Sequence, residues 1–115
     1  MKLETFDKQV AVEQLLFQVK PDLVDAFIQL DHELWTAVLE QYPGFAGKEV
    51  WVSQTVPGQV MSIIYWEDYE AWKAIDHQVL VDTDREFGQR FGTDNFQLIG
   101  EHHNDNQFFK VCAYK

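Results

Sequence analysis

The segment SIIYWEDYEAWKAIDH, residues 62–77, decides the fold, because a strand pattern passes into a helix pattern within it. It continues the run QVMSIIYWE, in which alternate side chains would point to opposite faces of a strand. Both faces carry large apolar side chains, with Val60, Ile64 and Trp66 on one face and Met61, Ile63 and Tyr65 on the other. Both faces of this strand therefore need a cover.

Turn and helix signals lie on either side of that strand. The runs GKEVWVSQ and QVMSIIYWE flank TVPG, whose Pro-Gly pair is typical of a turn, so together they predict a β-hairpin. Downstream, Asp68 predicts the N-cap of a second helical stretch that continues through Phe91. We expect the pair Asp76-His77 to break or bend this stretch.

The preceding part of the chain predicts a strand and then a helix. VEQLLFQV, residues 12–19, alternates as a strand does. The helix is predicted to begin at Pro21 and to stop at the Pro-Gly pair of residues 43–44. Its apolar positions recur at helical spacing: Leu23, Phe27, Leu30, Leu34 and Val38.

Two further strands complete the predicted topology. FQLIGEHH and QFFKVCAY have strand character and are joined by the turn-like NDN, while residues 1–9 are expected to be a loose arm or an extra edge strand. The order is β-α-β-β-α-β plus a C-terminal strand, which is the ferredoxin-like α+β arrangement with an antiparallel sheet. At 115 residues, the chain is predicted to be a single domain spanning residues 1–115.

The two apolar faces of the third strand predict an oligomer. Two helices cover only one face of an antiparallel sheet of this size, so the second face requires another cover. A second copy of the same sheet would provide it, which predicts a symmetric homodimer packed sheet to sheet, with Trp51 as a candidate contact. The alternative is that residues 1–9 and the C-terminal strand fold over that face within one chain.

Composition and charge exclude several classes of partner. The net charge of −10 repels phosphate backbones and anionic lipid, so neither nucleic-acid nor membrane binding is predicted. Cys112 is the single cysteine, which leaves no intramolecular disulfide. MKLETFDKQV lacks the apolar stretch of a signal peptide, and no run reaches the length of a membrane span. The chain is therefore predicted to be a cytoplasmic protein.

The order of elements, the helix-ending PGF of residues 43–45, the following GKEVWV and the corner YWEDYEAWKAI resemble the dimeric α/β-barrel superfamily. Within it, the chain is similar to the antibiotic-biosynthesis-monooxygenase-like domains. The phrases VKPDLVDAFIQLDHELWTAVLEQYPGFAGKEVWV and TDREF look closer still to a small branch found in cyanobacteria. The resemblance covers residues 12–103 and implies a dimer whose sheets close into a barrel-like core, with a cavity between helices and sheet in each subunit.

The resemblance also implies candidate activities. Members include cofactor-independent monooxygenases of polyketide quinones and heme-degrading enzymes, which pair a strand-end Trp with an Asn on the first strand and a His on the second helix. Trp66 matches that Trp, but the first strand offers Gln14 and Gln18 in place of Asn. His77 also precedes the expected place of the His, near Asp82. Heme binding therefore ranks third among the hypotheses, and no cofactor is predicted.

Of all residues in the sequence, Asp31 is the strongest candidate for a functional residue. On a helical wheel it falls inside the apolar arc of the first helix, between Phe27 and Trp35. A carboxylate there must be hydrogen-bonded, neutralised or exposed to a solvated cavity, because an unpaired buried charge is costly. It is either a general base or ligand anchor whose proton affinity is raised by desolvation, or a structural carboxylate that accepts from an indole N–H or a backbone amide.

Further candidates surround it. Trp35, Tyr65, Trp66 and Trp72 either line a ligand pocket or pack in the core, where a buried indole N–H needs a hydrogen-bond partner. His77, near the expected helix break, is either an acid-base group that titrates near neutral pH or a solvated bend residue.

Several kinds of site are not predicted. In EHHND, residues 101–105, neighbouring side chains of a strand point to opposite faces, so the two histidines cannot chelate one ion and no metal is predicted. Cys112 is interpreted as a small buried hydrophobe. No P-loop, Rossmann glycine fingerprint, HExxH or GxSxG motif occurs in the sequence.

Two hypotheses about function rank equally. In the first, the protein is a cofactor-independent oxygenase or isomerase that acts on a small aromatic or quinone-like substrate, with Asp31 or His77 abstracting a proton. In the second, it is a dimer that binds a small apolar ligand, or regulates a partner, without chemistry. The two differ in whether a product forms when a ligand is bound.

Overall fold

The computed structural model describes residues 1–102 and 108–115. Within these residues a single antiparallel sheet contains five strands: β1 (Leu3–Val19), β2 (Phe45–Val52), β3 (Gln59–Trp66), β4 (Phe96–His102) and β5 (Phe109–Tyr114). The strand order is β2-β3-β1-β4, and β5 pairs with the first part of β1. The sheet is not closed within one chain. The predicted ferredoxin-like α+β architecture and order of elements are confirmed.

The helical segments lie in two regions of the chain: α1 (Val24–Asp31) and α2 (Ala37–Leu39) in the first, and α3 (Tyr69–Lys73) and α4 (His77–Phe91) in the second. A 3₁₀ turn (Pro21–Leu23) precedes α1, and a π-helical turn (His32–Thr36) joins α1 to α2. A second 3₁₀ turn (Thr93–Asn95) follows α4.

Two aspartates fix the starts of α3 and α4. The Asp68 carboxylate accepts a hydrogen bond from the Ala71 amide at 2.8 Å, and the Asp76 carboxylate accepts one from the Gln78 amide at 2.8 Å. Each satisfies an amide that has no partner within its own helix. The predicted N-cap at Asp68 and the predicted break at Asp76-His77 are both confirmed.

The start of β1 differs from the expectation for residues 1–9. β1 begins at Leu3 and continues to Val19, and β5 pairs with its first part: with residues 3–5 and, after a register shift, with Val10 and Ala11. This segment is therefore neither a free arm nor a separate strand. The predicted NDN turn, residues 104–106, lies outside the described residues.

The helices pack on one face of the sheet, where two apolar clusters form the core. The first contains Val19, Phe27, Leu30, Val60 and Phe87, and the second contains Ala11, Leu39, Ile64, Trp66 and Trp72. Within β1 and β3 the inward residues alternate as the sequence predicts. The division of the core into two clusters leaves room between them for a cavity.

The opposite face of the sheet is partly covered by the chain itself. Val12 and Ile63 lie on it and are 8% and 2% exposed, whereas Trp51 on β2 is 54% exposed. Lys110 of β5 extends over the Tyr65 ring, 4.5 Å from its centroid. This face therefore has a covered centre and an apolar edge on β2.

Gly44 fixes the corner where β3 enters α3. A Cβ on Gly44 would lie 2.3 Å from the Ala71 Cβ, which is closer than two carbon atoms can approach. The Gly44 carbonyl also accepts a hydrogen bond from the Glu67 amide at 2.8 Å. The glycine of the PGF segment is therefore needed for the close contact between the first helical region and α3.

Candidate functional site

A cavity of about 630 Å³ lies between the sheet and the helices. This volume is in the range of small-molecule sites. Aromatic side chains form much of its wall: Phe17, Phe27, Trp35, Trp72, Phe87 and Phe96. The cavity therefore has the volume and the largely apolar lining expected of a small-molecule site.

A buried ion pair lies in the wall of this cavity. The Lys48 Nζ of β2 donates to Asp31 Oδ2 at 2.6 Å and to Thr36 Oγ1 at 2.9 Å. The Lys48 and Asp31 side chains are 6% and 9% exposed. Their mutual attraction offsets the cost of removing both charges from water, and the threonine satisfies a second ammonium proton. Asp31 thus has a charged partner, which neither interpretation of the sequence included.

The π-helical turn places Asp31 and Thr36 on the same ammonium. In a regular α-helix two residues five positions apart point about 140° away from each other, so they could not both reach Lys48. A π turn closes its hydrogen bonds on the fifth residue, which brings such residues onto one side of the helix. The turn His32–Thr36 follows directly after Asp31. This local irregularity therefore builds the Lys48 binding geometry.

The sheet contributes a polar floor to the cavity. Lys48 of β2 and Glu13 of β1 both pair with Ile64 of β3, one from each side. Ser62 is the next inward residue along β3, and it is 2% exposed. Lys48, Glu13 and Ser62 all line the cavity. The apolar walls therefore enclose a small patch of charged and hydroxyl groups.

The mouth of the cavity lies at α3 and the start of α4. Lys73, His77 and Asp84 line the cavity and are exposed to solvent. The Lys73 ammonium lies 4.2 Å from the centroid of the Trp72 ring, so a cation–π contact holds it against the wall. His77 therefore lies at the boundary between the cavity and solvent.

The structure brings four of the predicted site residues together and separates two. Asp31, Trp35, Trp72 and His77 line the cavity. Trp66 does not: it is wholly buried in the core, and its indole N–H donates to Glu13 Oε1 at 3.4 Å. The catalytic or binding role of each residue stays a prediction.

Tyr65, the other predicted pocket residue outside the cavity wall, lies on the opposite face of the sheet. Burial raises the pKa of its phenol above the ordinary value, and the neighbouring Glu49 carboxylate raises it further through its charge and a hydrogen bond. The same carboxylate accepts a hydrogen bond from the Trp51 indole at 3.1 Å. Tyr65 therefore belongs to a separate polar cluster.

The sequence analysis missed Lys48, Thr36, Ser62 and Glu13. A signal for Lys48 was present, because in GKEVWV it alternates in phase with Val50 and Val52 and so shares their inward face. Thr36 had no such signal, since its orientation depends on the π turn. Ser62 and Glu13 are polar residues at inward positions of strands, which is the pattern of a solvated or ligand-binding cavity.

Metal and membrane features were also sought in the described residues. No group of three or more His, Cys, Asp or Glu side chains suited to a metal ion occurs in that part of the chain. The EHHND segment, residues 101–105, has no described side chains, so its interpretation stays a prediction. Of the helices in the described ranges, none is long and apolar enough to cross a membrane.

A ferredoxin-like α+β domain with an aromatic-walled cavity between helices and sheet defines the structural class of this chain. Within that class, the chain belongs to the antibiotic biosynthesis monooxygenase family, whose sequence profile matches residues 11–78. The match spans the second half of β1, the first helical region, the hairpin, α3 and the first two residues of α4. No curated protein matches the chain by sequence.

Solved structures share the fold at low sequence identity. SnoaB, a cofactor-independent oxygenase from Streptomyces nogalater, has a TM-score of 0.57 and 13% identity, covering 85% of this chain and 95% of that chain. A conserved protein from Methanosarcina mazei Go1 has a TM-score of 0.60 and 18% identity, with 89% and 93% covered. A protein from Shewanella oneidensis has a TM-score of 0.57 and 16% identity, with 97% and 100% covered. These likenesses establish the fold alone.

Proposed function

We propose that the protein is a cofactor-independent oxygenase or isomerase that acts on a small aromatic or quinone-like molecule bound in the cavity. The observation that carries the proposal is the buried Asp31–Lys48 pair in the wall of a 630 Å³ cavity lined by aromatic side chains. The rings would hold a flat substrate, and the pair would act on its polar end. The likeness to SnoaB supports an oxygenase in particular.

In this proposal Asp31 is the base and Lys48 stabilises the anion that forms. Lys48 Nζ holds one oxygen of the carboxylate, Oδ2, while no described residue donates to Oδ1. Oδ1 would accept a proton from an acidic C–H or O–H group of the substrate. The ammonium lies beside the negative charge that the substrate gains, where low polarity strengthens their attraction.

The substrate anion has two possible fates, and both balance without a cofactor. In an isomerase the proton returns to a different atom of the same molecule. In an oxygenase the anion transfers electrons to O₂; one oxygen atom forms a new carbonyl and the other leaves as water. Anthrone illustrates the second case, since anthrone and O₂ give anthraquinone and water. His77 at the mouth would pass the proton to solvent.

Oxygen uptake with anthrone as probe tests the proposal. We expect the protein to accelerate oxygen consumption and anthraquinone absorbance above the spontaneous rate. Asp31→Asn combined with Lys48→Met should abolish that acceleration, and the double change avoids leaving one charge buried alone. Glu49→Gln, on the other face of the sheet, is the matched control and should retain it. Undiminished acceleration by the double variant would remove the pair from the mechanism.

Deuterium exchange under argon tests the isomerase branch separately. With O₂ absent, the proposed base should still exchange the acidic CH₂ protons of anthrone with D₂O, as followed by NMR. The double variant should lose this exchange. Wild-type protein that neither consumes oxygen nor exchanges protons with anthrone would contradict proton abstraction from this substrate.

Ligand binding without chemistry is the second candidate function. The observation that favours it is that Lys48 and Thr36 already satisfy Asp31 in the manner of a structural ion pair. A binding protein would show a rise in melting temperature with anthrone or anthraquinone, and no oxygen uptake or exchange. The two measurements together therefore distinguish the candidates.

We also propose that the protein acts as a homodimer through the sheet face opposite the helices. The exposed Trp51 and the half-buried Leu16, Met61 and Tyr65 lie on that face and would form its apolar contact. About 800 Å² buried per partner would suffice for a stable dimer. Sedimentation at micromolar concentration should give twice the 13.5 kDa chain mass, and Trp51→Glu should shift it to the monomer. A monomeric wild type would contradict the dimer.

The predicted compartment is the cytoplasm. Its support is the single cysteine, Cys112, which has no disulfide partner within the chain.

A further inference from the structure

We propose that Lys48 and Ser62 form a subsite in which dioxygen is bound and reduced to superoxide. The proposal rests on the oxygenase branch of the proposed function, because that branch requires dioxygen to react beside the substrate anion. It adds the place where dioxygen is held and the two side chains that stabilise its reduced form.

The Ser62 hydroxyl of β3 is a buried donor without an acceptor. The residue is 2% exposed and lines the cavity, and its hydroxyl forms no hydrogen bond with any residue that the structure describes. By contrast, the buried Thr83, which lies outside the cavity wall, donates to the Val79 carbonyl at 2.7 Å. Buried hydroxyls nearly always have a partner, so the exception at Ser62 indicates a donor that serves a bound molecule.

Lys48 supplies a second donor to the same part of the cavity. Its ammonium carries three N–H groups, of which Asp31 and Thr36 accept two, at 2.6 and 2.9 Å. No acceptor for the third occurs in the described part of the chain. Lys48 pairs with Ile64 across the hairpin, and Ser62 is the next inward residue of β3. The two donors are therefore diagonal neighbours on the sheet, with Cβ atoms about 7 Å apart, and a small molecule between them can accept from both.

Proton transfer to Asp31 changes the charge of this subsite. While Asp31 is ionised, its carboxylate balances the Lys48 ammonium, and the pair has no net charge. Once Asp31 holds the substrate proton, the positive charge of Lys48 is unbalanced at 6% exposure of its side chain. The other carboxylates of the cavity wall stand apart from the pair, since Glu13 lies two strands away on β1 and Asp84 lies at the mouth. A negative charge beside the ammonium is therefore stabilised most strongly after proton abstraction.

The chemical steps balance around this change of charge. The substrate carbanion transfers one electron to dioxygen, which gives a carbon radical and a superoxide ion held by Lys48 and Ser62. The two combine through a new C–O bond to give a peroxide anion, which takes back the proton from Asp31. Loss of water from this hydroperoxide leaves the carbonyl product. The negative charge thus moves from carbon to oxygen and remains beside one ammonium throughout.

The oxygen dependence of the anthrone reaction tests the role of Ser62. We expect kcat/KM for O₂ to fall about tenfold or more in Ser62→Ala, the ratio for a hydrogen bond to a charged group. Deuterium exchange into anthrone under argon should keep its wild-type rate, because that step involves no oxygen. Thr83→Val removes a buried hydroxyl outside the cavity and should change neither rate. Wild-type oxygen dependence in Ser62→Ala, or an equal loss of exchange and oxygen uptake, would overturn the inference.

Azide binding tests the subsite without any turnover. Azide is a small linear anion that stands in for superoxide, and Asp31→Asn stands in for the protonated carboxyl group. Azide should raise the melting temperature of Asp31→Asn more than that of the wild type, because only the variant has an unbalanced ammonium. Adding Ser62→Ala to Asp31→Asn should remove part of that rise. The control is Asp31→Asn combined with Lys48→Met, which has no ammonium in the wall and should lose the additional rise.

The azide result and the anthrone result can fail separately. Equal azide shifts in Asp31→Asn and in the control without Lys48 would contradict the subsite, even if anthrone is oxidised. The expected azide pattern in a protein that consumes no oxygen with anthrone would support the subsite and contradict the proposed function. If Asp31→Asn is unfolded in buffer, azide should restore its folded circular-dichroism signal, and a variant that azide neither refolds nor stabilises would refute the inference.

Discussion

Lys48 and Glu49 are neighbours in β2, yet they belong to two different polar clusters on opposite faces of the sheet. Lys48 points to the helices, where it pairs with Asp31 at 6% exposure of its side chain. Glu49 points the other way, is exposed, and accepts from the Trp51 indole. Both clusters combine charge with aromatic rings. The charges of the Lys48 cluster are expected to affect stability more than those of the Glu49 cluster, because the helix layer excludes water from the first cluster and not from the second.

The largest expected effect is the loss of one partner of the buried pair. Lys48→Met or Asp31→Asn alone should lower the free energy of unfolding by about 3–5 kcal/mol, since each leaves the other group buried without its partner. The double variant should recover most of that loss, since neither charge remains to be desolvated. Urea denaturation of the three variants provides the measurement.

The opposite face supplies the control for this comparison. Glu49→Gln removes a carboxylate one residue away from Lys48, but from a position that is exposed in the single chain, so the free energy of unfolding of the monomer should change by less than about 1 kcal/mol. A loss as large as that of Asp31→Asn would mean that burial is not what distinguishes the two clusters.

An intermediate effect is expected at Thr36. Thr36→Val keeps the shape of the side chain but removes the acceptor for Lys48 Nζ, which should cost about 1.5–3 kcal/mol of unfolding free energy, the range for hydrogen bonds to charged groups. Thr36→Ser retains the hydroxyl and should lose much less. Urea denaturation of both variants provides the measurement. If Thr36→Ser were destabilised as much as Thr36→Val, the hydrogen bond between Lys48 and Thr36 that the π turn creates would not contribute to stability.

The smallest effect concerns the pH dependence of the exposed cluster. The Tyr65 pKa is raised in the folded protein, so between its unfolded and folded values the folded state binds more protons. The stabilisation is therefore complete below about pH 10 and is lost as pH rises through the folded pKa. Absorbance titration of the phenol should show a lower pKa in Glu49→Gln. An unchanged Tyr65 titration in that variant would exclude the contribution of Glu49.

The sequence predicted the parts of this molecule that follow from periodicity. Alternation in QVMSIIYWE identified the two faces of β3, and Asp68 marked the start of α3, because capping is a local interaction. The pair Asp76-His77 marked the break between α3 and α4, although the sequence did not identify Asp76 as a cap. Asp31 was found because a carboxylate in an apolar arc violates helical patterning.

Periodicity indicates that Lys48 faces inward, but it could not predict that Lys48 and Thr36 pair with Asp31. Lys48 lies 17 residues away in sequence and reaches Asp31 only when the hairpin packs beneath the helix. Thr36 reaches the same ammonium only because the helix departs from α geometry. Trp66 illustrates the reverse case, since a large ring at the end of a strand looks the same in sequence whether it lines a cavity or fills the core; here it is wholly buried.

The turn His32–Thr36 also bears on how this chain should be aligned with others. A π turn inside an α-helix amounts to a one-residue insertion, so a homologue with a regular helix would need a single gap within these five positions. An alignment that places the gap elsewhere would move Asp31 or Leu39 onto a neighbouring column. The residue that a relative has in place of Asp31 can therefore be identified only when the alignment gap is placed within the π turn, between α1 and α2.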